Sequence, residues 1–186
     1  MSAAATGGTD VKTRLLAAGL LLCLAPSLAR GRGEADWKEF TSKEGGFAVK
    51  LPGTPTEDRR TTRSPAGSFT GTVYVLEGKK GNEFYLAGFT DLPAAAVKAG
   101  TDAQRLDAAR DEAIAHVRGK LVDERRIDLK GHPGREVTIE VDPKTFIQVR
   151  LYLVKQRLYQ VLVVGGKDVA GAKHTLRFLD SFRLVP

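Results

Sequence analysis

The residue types that most often carry chemistry are scarce in this 186-residue chain. It has one cysteine, Cys23, and three histidines, His116, His132 and His174, and only 7% of its residues are aromatic. Cys23 falls in an N-terminal apolar run, so residues 30–186 contain no cysteine. That excludes disulfides, thiol nucleophiles and cysteine metal ligands from them. No His-x-His or His-Glu-x-x-His spacing occurs, so no metal site is expected. Ser68, in "AGSFTGT", is not in a Gly-x-Ser-x-Gly elbow, and no base is identifiable beside it. The formal net charge is +7, but the basic pairs Arg59-Arg60, Lys79-Lys80 and Arg125-Arg126 have no interleaved aromatics, which argues against a nucleic-acid partner. No internal repeat and no low-complexity linker is visible.

The longest uncharged apolar stretch is "LLAAGLLLCLAPSLA", residues 15–29. It is shorter than the ~20 residues a membrane helix needs. Lys12 and Arg14 precede it, Pro26 breaks it, and Ser27 and Ala29 occupy the minus-three and minus-one positions. This is the pattern of a signal peptide cleaved after Ala29. The alternative is an uncleaved N-terminal membrane anchor, which Arg30 and Arg32 favour. A lipid anchor is not expected, because Leu22, not a small residue, precedes Cys23 and Cys23 sits inside the apolar run. The expected organisation is therefore a leader over 1–29, a short segment over 30–36, and one domain over 37–186 with no integral membrane span.

Within that domain, "DWKEF" (36–40) and "GFAVKL" (46–51) read as strands joined around Ser42–Gly46, with Pro52, Gly53 and Pro55 ending the second. "SFTGTVYVLEG" and "NEFYLAGFTDL" predict a hairpin around Lys79–Gly81. The period then changes. Over 102–118, Ala103, Leu106, Ala109, Ala113, Ile114 and Val117 recur at helical spacing, with Arg105, Asp107, Arg110, Asp111 and Arg118 opposite. Thr101 and Gln104 suggest a capping box and Gly119 a stop. Asp107, Asp111 and Glu112, interleaved with arginines, read as a solvated charged face. Four strands follow, at 121–129, 135–141, 145–155 and 157–164. Val137, Ile139 and Val141 alternate with Glu136, Thr138 and Glu140, which predicts one buried and one wet face. A last helix over 169–180 would bury Val169, Ala172, Leu176 and Leu179, with Asp168 as N-cap. The class is α+β, an antiparallel β-sheet flanked by helices.

One stretch invites a chemical reading: Gly131-His132-Pro133-Gly134-Arg135-Glu136. Here His132 would be a general base, Glu136 would orient it and Arg135 would hold an anion. The structural reading is a turn, since proline presets one dihedral and glycine accepts positive φ. The turn is favoured, and no catalytic or cofactor residue is assigned.

The strand–helix–strands–helix order, "GGFAVKLPGTP" near the front and "FLDSFRLVP" at the end resemble the PsbP-like superfamily. Its anchors here are Gly45, Gly46, Phe47, Pro52, Gly53, Pro133, Gly134, Phe178 and Phe182, and the resemblance covers most of 37–184. It implies an α/β/α sandwich and protein binding rather than catalysis. The leading expectation is thus an exported, non-catalytic interaction domain in the cell envelope, with a protein or an anionic envelope component as partner. Two alternatives stand beside it: a small-ligand or lipid binder with a pocket between sheet and helix, and an enzyme with a non-local active site.

Overall fold

The computed structural model describes residues 37–186 apart from 65–66, 79–82 and 99. The expected leader (1–29), the segment 30–36, the Lys79–Gly81 turn and the Ser68 side chain lie outside the described residues.

Among the described residues, ten strands form two antiparallel sheets. Strands β1 (Lys38–Ser42), β2 (Phe47–Leu51) and β10 (Arg183–Leu184) make a small sheet in the order β1-β2-β10. The large sheet has the order β3-β4-β5-β9-β8-β7-β6. Its members are β3 (Thr56–Ser64), β4 (Gly67–Glu77), β5 (Phe84–Asp91), β6 (Lys120–Leu129), β7 (His132–Asp142), β8 (Thr145–Val154) and β9 (Arg157–Gly165). Helices α1 (Ala94–Lys98) and α2 (Asp102–Val117) join β5 to β6. A 3-10 turn (Val169–Gly171) and helix α3 (Lys173–Asp180) join β9 to β10.

Residues opposite one another on paired strands share a face, so the register sorts the side chains of the large sheet. Tyr85, Ala87 and Phe89 of β5 line up with Val163, Val161 and Tyr159 of β9. This face packs on the small sheet and α3, around Phe47, Phe178 and Phe182. Phe47 is fully buried, with the rings of Tyr74, Tyr159 and Phe182 at 5.9, 6.1 and 5.3 Å. The opposite face carries Leu86, Leu162, Val149 and Val137 in one row and meets α2 through Leu106 and Val117. Both faces of the central strands are therefore buried, as an α+β sandwich requires.

The capping box of α2 forms as expected: Thr101 Oγ1 accepts from Gln104 N at 3.3 Å and Gln104 Oε1 accepts from Thr101 N at 2.8 Å. Other sequence expectations change. Strand β3, "TEDRRTTRS", went unforeseen because an edge strand with charged residues shows no apolar alternation. The five-residue helix α1 and the two-residue β10 were too short to give a pattern. Arg118, not Gly119, takes the left-handed cap of α2, with φ 52°. Asp168 caps nothing with its side chain, and α3 starts after Ala172. Its buried residues are Thr175, Phe178 and Leu179, while Leu176 is exposed.

Two corrections bear on the candidate motif. The turn between β6 and β7 is Lys130-Gly131, at φ 53° and 86°, closed by the Leu129–His132 pair. Two consecutive positive φ values describe the tight hairpin turn whose twist matches the flanking strands, and Gly131 supplies the second without steric cost. His132 to Glu136 are thus strand residues, not turn residues. The supposed wet face of β7 is also covered, since Glu136 and Thr138 are buried. Thr138 donates to Gln148 at 2.6 Å, and Glu136 is paired with arginines.

Candidate functional site

The strand geometry separates the three residues singled out from the sequence. Successive side chains alternate faces, and each residue advances ~3.3 Å, so His132 stands about 13 Å from Glu136 along β7. Arg135 projects to the α2 face and Glu136 to the other. Glu136 Oε1 accepts from Arg125 Nε at 2.8 Å, and its second oxygen pairs with Arg150, which also holds Asp180 at 2.7 Å. Burial alone would lower the Arg150 pKa, but the hydrogen bonds to Glu136 and Asp180 outweigh it and hold the guanidinium above its ordinary value. Arg135 is engaged by Asp107 at 3.0 Å and Glu124 at 3.1 Å. The structure does not bring a base, an orienting acid and an anion holder to one point.

The acidic face expected on α2 is solvated, with Asp111 and Glu112 exposed and Asp107 half-exposed, and arginines also pair with it. Arg110 bonds Glu124 of β6 at 2.7 Å and Asp111 at 2.9 Å. The Asp111 hydrogen bond is the largest cause of its raised pKa. With the Asp107–Arg135 pair, these contacts draw α2 toward the β6–β7 half of the sheet. Three residues of the basic pairs are engaged, Arg59 by Glu44 and Glu57, Arg60 by Asp58 and Arg125 by Glu136, while Lys79-Lys80 lies outside the described residues. His174 Nε2 lies 3.2 Å from Glu83, whose other oxygen accepts from Tyr85 at 2.7 Å.

Because α2 is held toward β7 and β8, the sheet beside it is not fully covered. A groove of about 630 Å³ runs between α2 and strands β9, β5 and β4. That size lies within the range of ligand pockets, roughly 300–1,000 Å³. Leu158, Leu162, Val149, Ile147 and Ile139 supply its floor. The helix contributes Ala108, Ala109 and Ala113, where larger side chains would fill the space. On the same sheet face Gly88 stands opposite Gln160. A Cβ at Gly88 would come within 2.6 Å of Thr72 O, so only glycine fits there.

Few polar groups interrupt this lining. Gln160 is the one polar residue in the row Leu158, Gln160, Leu162, Val164 of β9, and it makes no side-chain hydrogen bond among the described residues. Arg105 fixes one end, donating from Nη1 to Val97 O and Gly100 O, both at 2.6 Å, and pairing with Asp102. Its Nε is buried without an acceptor. Thr90 and Gln104 belong to the same end, and Glu112 and His116 lie farther along the helix. Sequence reasoning raised a sheet–helix pocket as an alternative but assigned none of these residues to it. The legible signal was the run of alanines facing an apolar sheet.

An antiparallel sheet covered by a helix on one face and by a small sheet and a helix on the other is an α+β scaffold, and such a fold by itself assigns no chemistry. In particular it is a PsbP-like fold. The chain is similar to the solution structure of cyanobacterial PsbP (CyanoP) from Synechocystis sp. PCC 6803, with TM-score 0.55 and 12% identity over 85% of this chain and 98% of that one. It also aligns, with TM-score 0.36 and 10% identity over 81% of this chain and 96% of the other, with the crystal structure of PA94, a protein of unknown function from Pseudomonas aeruginosa. No family model and no curated protein matches it. Among the described residues, no helix is long and apolar enough to cross a membrane.

Proposed function

We propose that this protein is an exported, non-catalytic binding domain, one unit over 37–186, that takes an apolar small molecule in the groove between α2 and the large sheet. The observation that carries this is an open groove of about 630 Å³ lined mainly by leucine, isoleucine, valine and alanine beside the buried cluster of Leu106, Val137 and Leu151. Water in such a groove gains few hydrogen bonds, so an apolar occupant displaces it favourably. Export rests on the apolar run 15–29 with its basic flank and small-residue cleavage site. The internal pairing of Arg59, Arg60 and Arg125 weakens the case for an anionic envelope polymer held by those cations.

The test uses diphenylhexatriene, a rod-shaped hydrocarbon that fluoresces when it leaves water, added to the full chain. Ala113→Leu and Ala109→Leu each place a larger side chain in the groove. The proposal expects saturable binding by the wild type and loss of it in both variants, each shown to be folded by circular dichroism. Equal binding by wild type and folded variants would refute it.

A further inference from the structure

The polar atoms of the groove say which apolar molecule fits. Four of the six polar side chains that line it, Thr90, Gln104, Arg105 and Gln160, belong to one end, and Glu112 and His116 lie farther along α2. Thr90 pairs with Leu158, two residues before Gln160 on β9, and the chain from Leu92 to Gly100 delivers the start of α2 to that same end. There the half-buried Gln160 interrupts an apolar row, and its amide has no side-chain partner among the described residues. An apolar ligand lying over this amide would strip it of water, and a ligand oxygen set against it would relieve that cost. From Arg105 to His116, α2 advances about 16 Å at its ordinary rise, and the rest of the lining over that length is mainly apolar.

The charge balance decides the nature of the oxygen. Arg105 is already paired with Asp102, and Glu112 lines the same groove. Among the residues that line the groove, a carboxylate ligand would find no uncommitted cation at the polar end and a like charge farther along. Building on the groove reading above, we infer that the ligand is an elongated, uncharged apolar molecule with a hydrogen-bonding oxygen at one end, a fatty alcohol or fatty ester, seated with that oxygen toward Gln160. The arrangement selects against the corresponding fatty-acid anion.

The experiment displaces diphenylhexatriene from the full chain with 1-decanol, methyl decanoate or sodium decanoate at pH 8, where the acid is ionised. Decanol and the methyl ester displace the probe at concentrations about ten-fold or more below decanoate. Gln160→Leu raises the concentration needed for both by about ten-fold, the effect of losing one good hydrogen bond, while retaining the probe itself. Decanoate displacing as well as the ester, or Gln160→Leu leaving the ranking and affinities unchanged, would overturn the inference while the groove reading stands. If the wild type does not bind the probe, or the folded Ala113→Leu variant binds it equally, the groove reading falls and this inference falls with it.

Discussion

Glu136→Gln removes a charge from a buried position while keeping its shape. The Glu136 side chain is 8% exposed and lies between Arg150, 12% exposed, and Arg125, 60% exposed. Breaking a fully buried ion pair costs about 3–5 kcal/mol, chiefly because the surviving charge stays desolvated. Two features reduce that here. The solvated Arg125 contributes no more than about 1 kcal/mol, and Arg150 keeps its bond to the exposed Asp180. The expected loss is therefore about 2–3 kcal/mol, held mainly in the stranded Arg150. For a domain of this size that lowers Tm by about 4–12 °C. Thermal unfolding followed by circular dichroism reads the change directly. The double variant Glu136→Gln with Arg150→Met should recover much of the loss, because it removes the buried charge together with its partner. A Tm for Glu136→Gln within about 1 °C of wild type, or a double variant as unstable as the two single losses added together, would refute the reasoning.

Other outcomes follow from the same geometry. All four tyrosines, Tyr74, Tyr85, Tyr152 and Tyr159, have pKa values raised above the ordinary phenol, mainly by burial and for Tyr85 also by Glu83. Burial that keeps them neutral stabilises the fold fully below about pH 10, and this contribution is lost as pH rises through the folded values. A titration of absorbance near 295 nm should therefore show little tyrosinate before the protein unfolds, and a normal wave in the native state would contradict it. Asp91 is held below the usual carboxylate range first by its hydrogen bonds from Arg157. Its contribution is present above about pH 4 and fades as pH falls through the folded value, so urea midpoints for Asp91→Asn should vary less with acid than wild type. Gly88→Ala should cost about 1–3 kcal/mol by denaturant titration, from forced overlap with Thr72 O. Gly131→Ala meets no atom within 4 Å and should cost only the positive-φ strain, about 1–2 kcal/mol. Ala113→Leu should stabilise by up to about 2 kcal/mol as it fills the groove, and a destabilised variant would mean that the space is not free to fill.

The elements governed by local periodicity were legible. Helix α2 announced itself through its three- and four-residue spacing and its capping box, and β7, β8 and β9 through long β-branched and aromatic runs. What the sequence hid depends on distant partners. Strand β3 is charged because one edge of the large sheet is formed by it, and β10 exists only because Arg183 and Leu184 reach β2. Glu136 and Thr138 read as wet because nothing local reveals that Arg125, Arg150 and Gln148 cover them. The groove was least legible, since it is made from missing volume. Ala109 and Ala113 look like ordinary core positions until the ion pairs of Arg135 and Arg110 fix where the helix lies. Gln160 likewise looks like a passing polar residue until its neighbours Leu158 and Leu162 are seen to share its face.

The most direct test of the groove as the binding site is a residue-resolved map. Amide resonances of the isotope-labelled full chain would be followed while 1-decanol is added. The account predicts saturable shifts at Ala109, Ala113, Gln160, Leu162 and Gly100, with Leu121 and Val122 of the β6 edge unmoved. Shifts confined to that edge, or scattered over the surface without saturation, would contradict it.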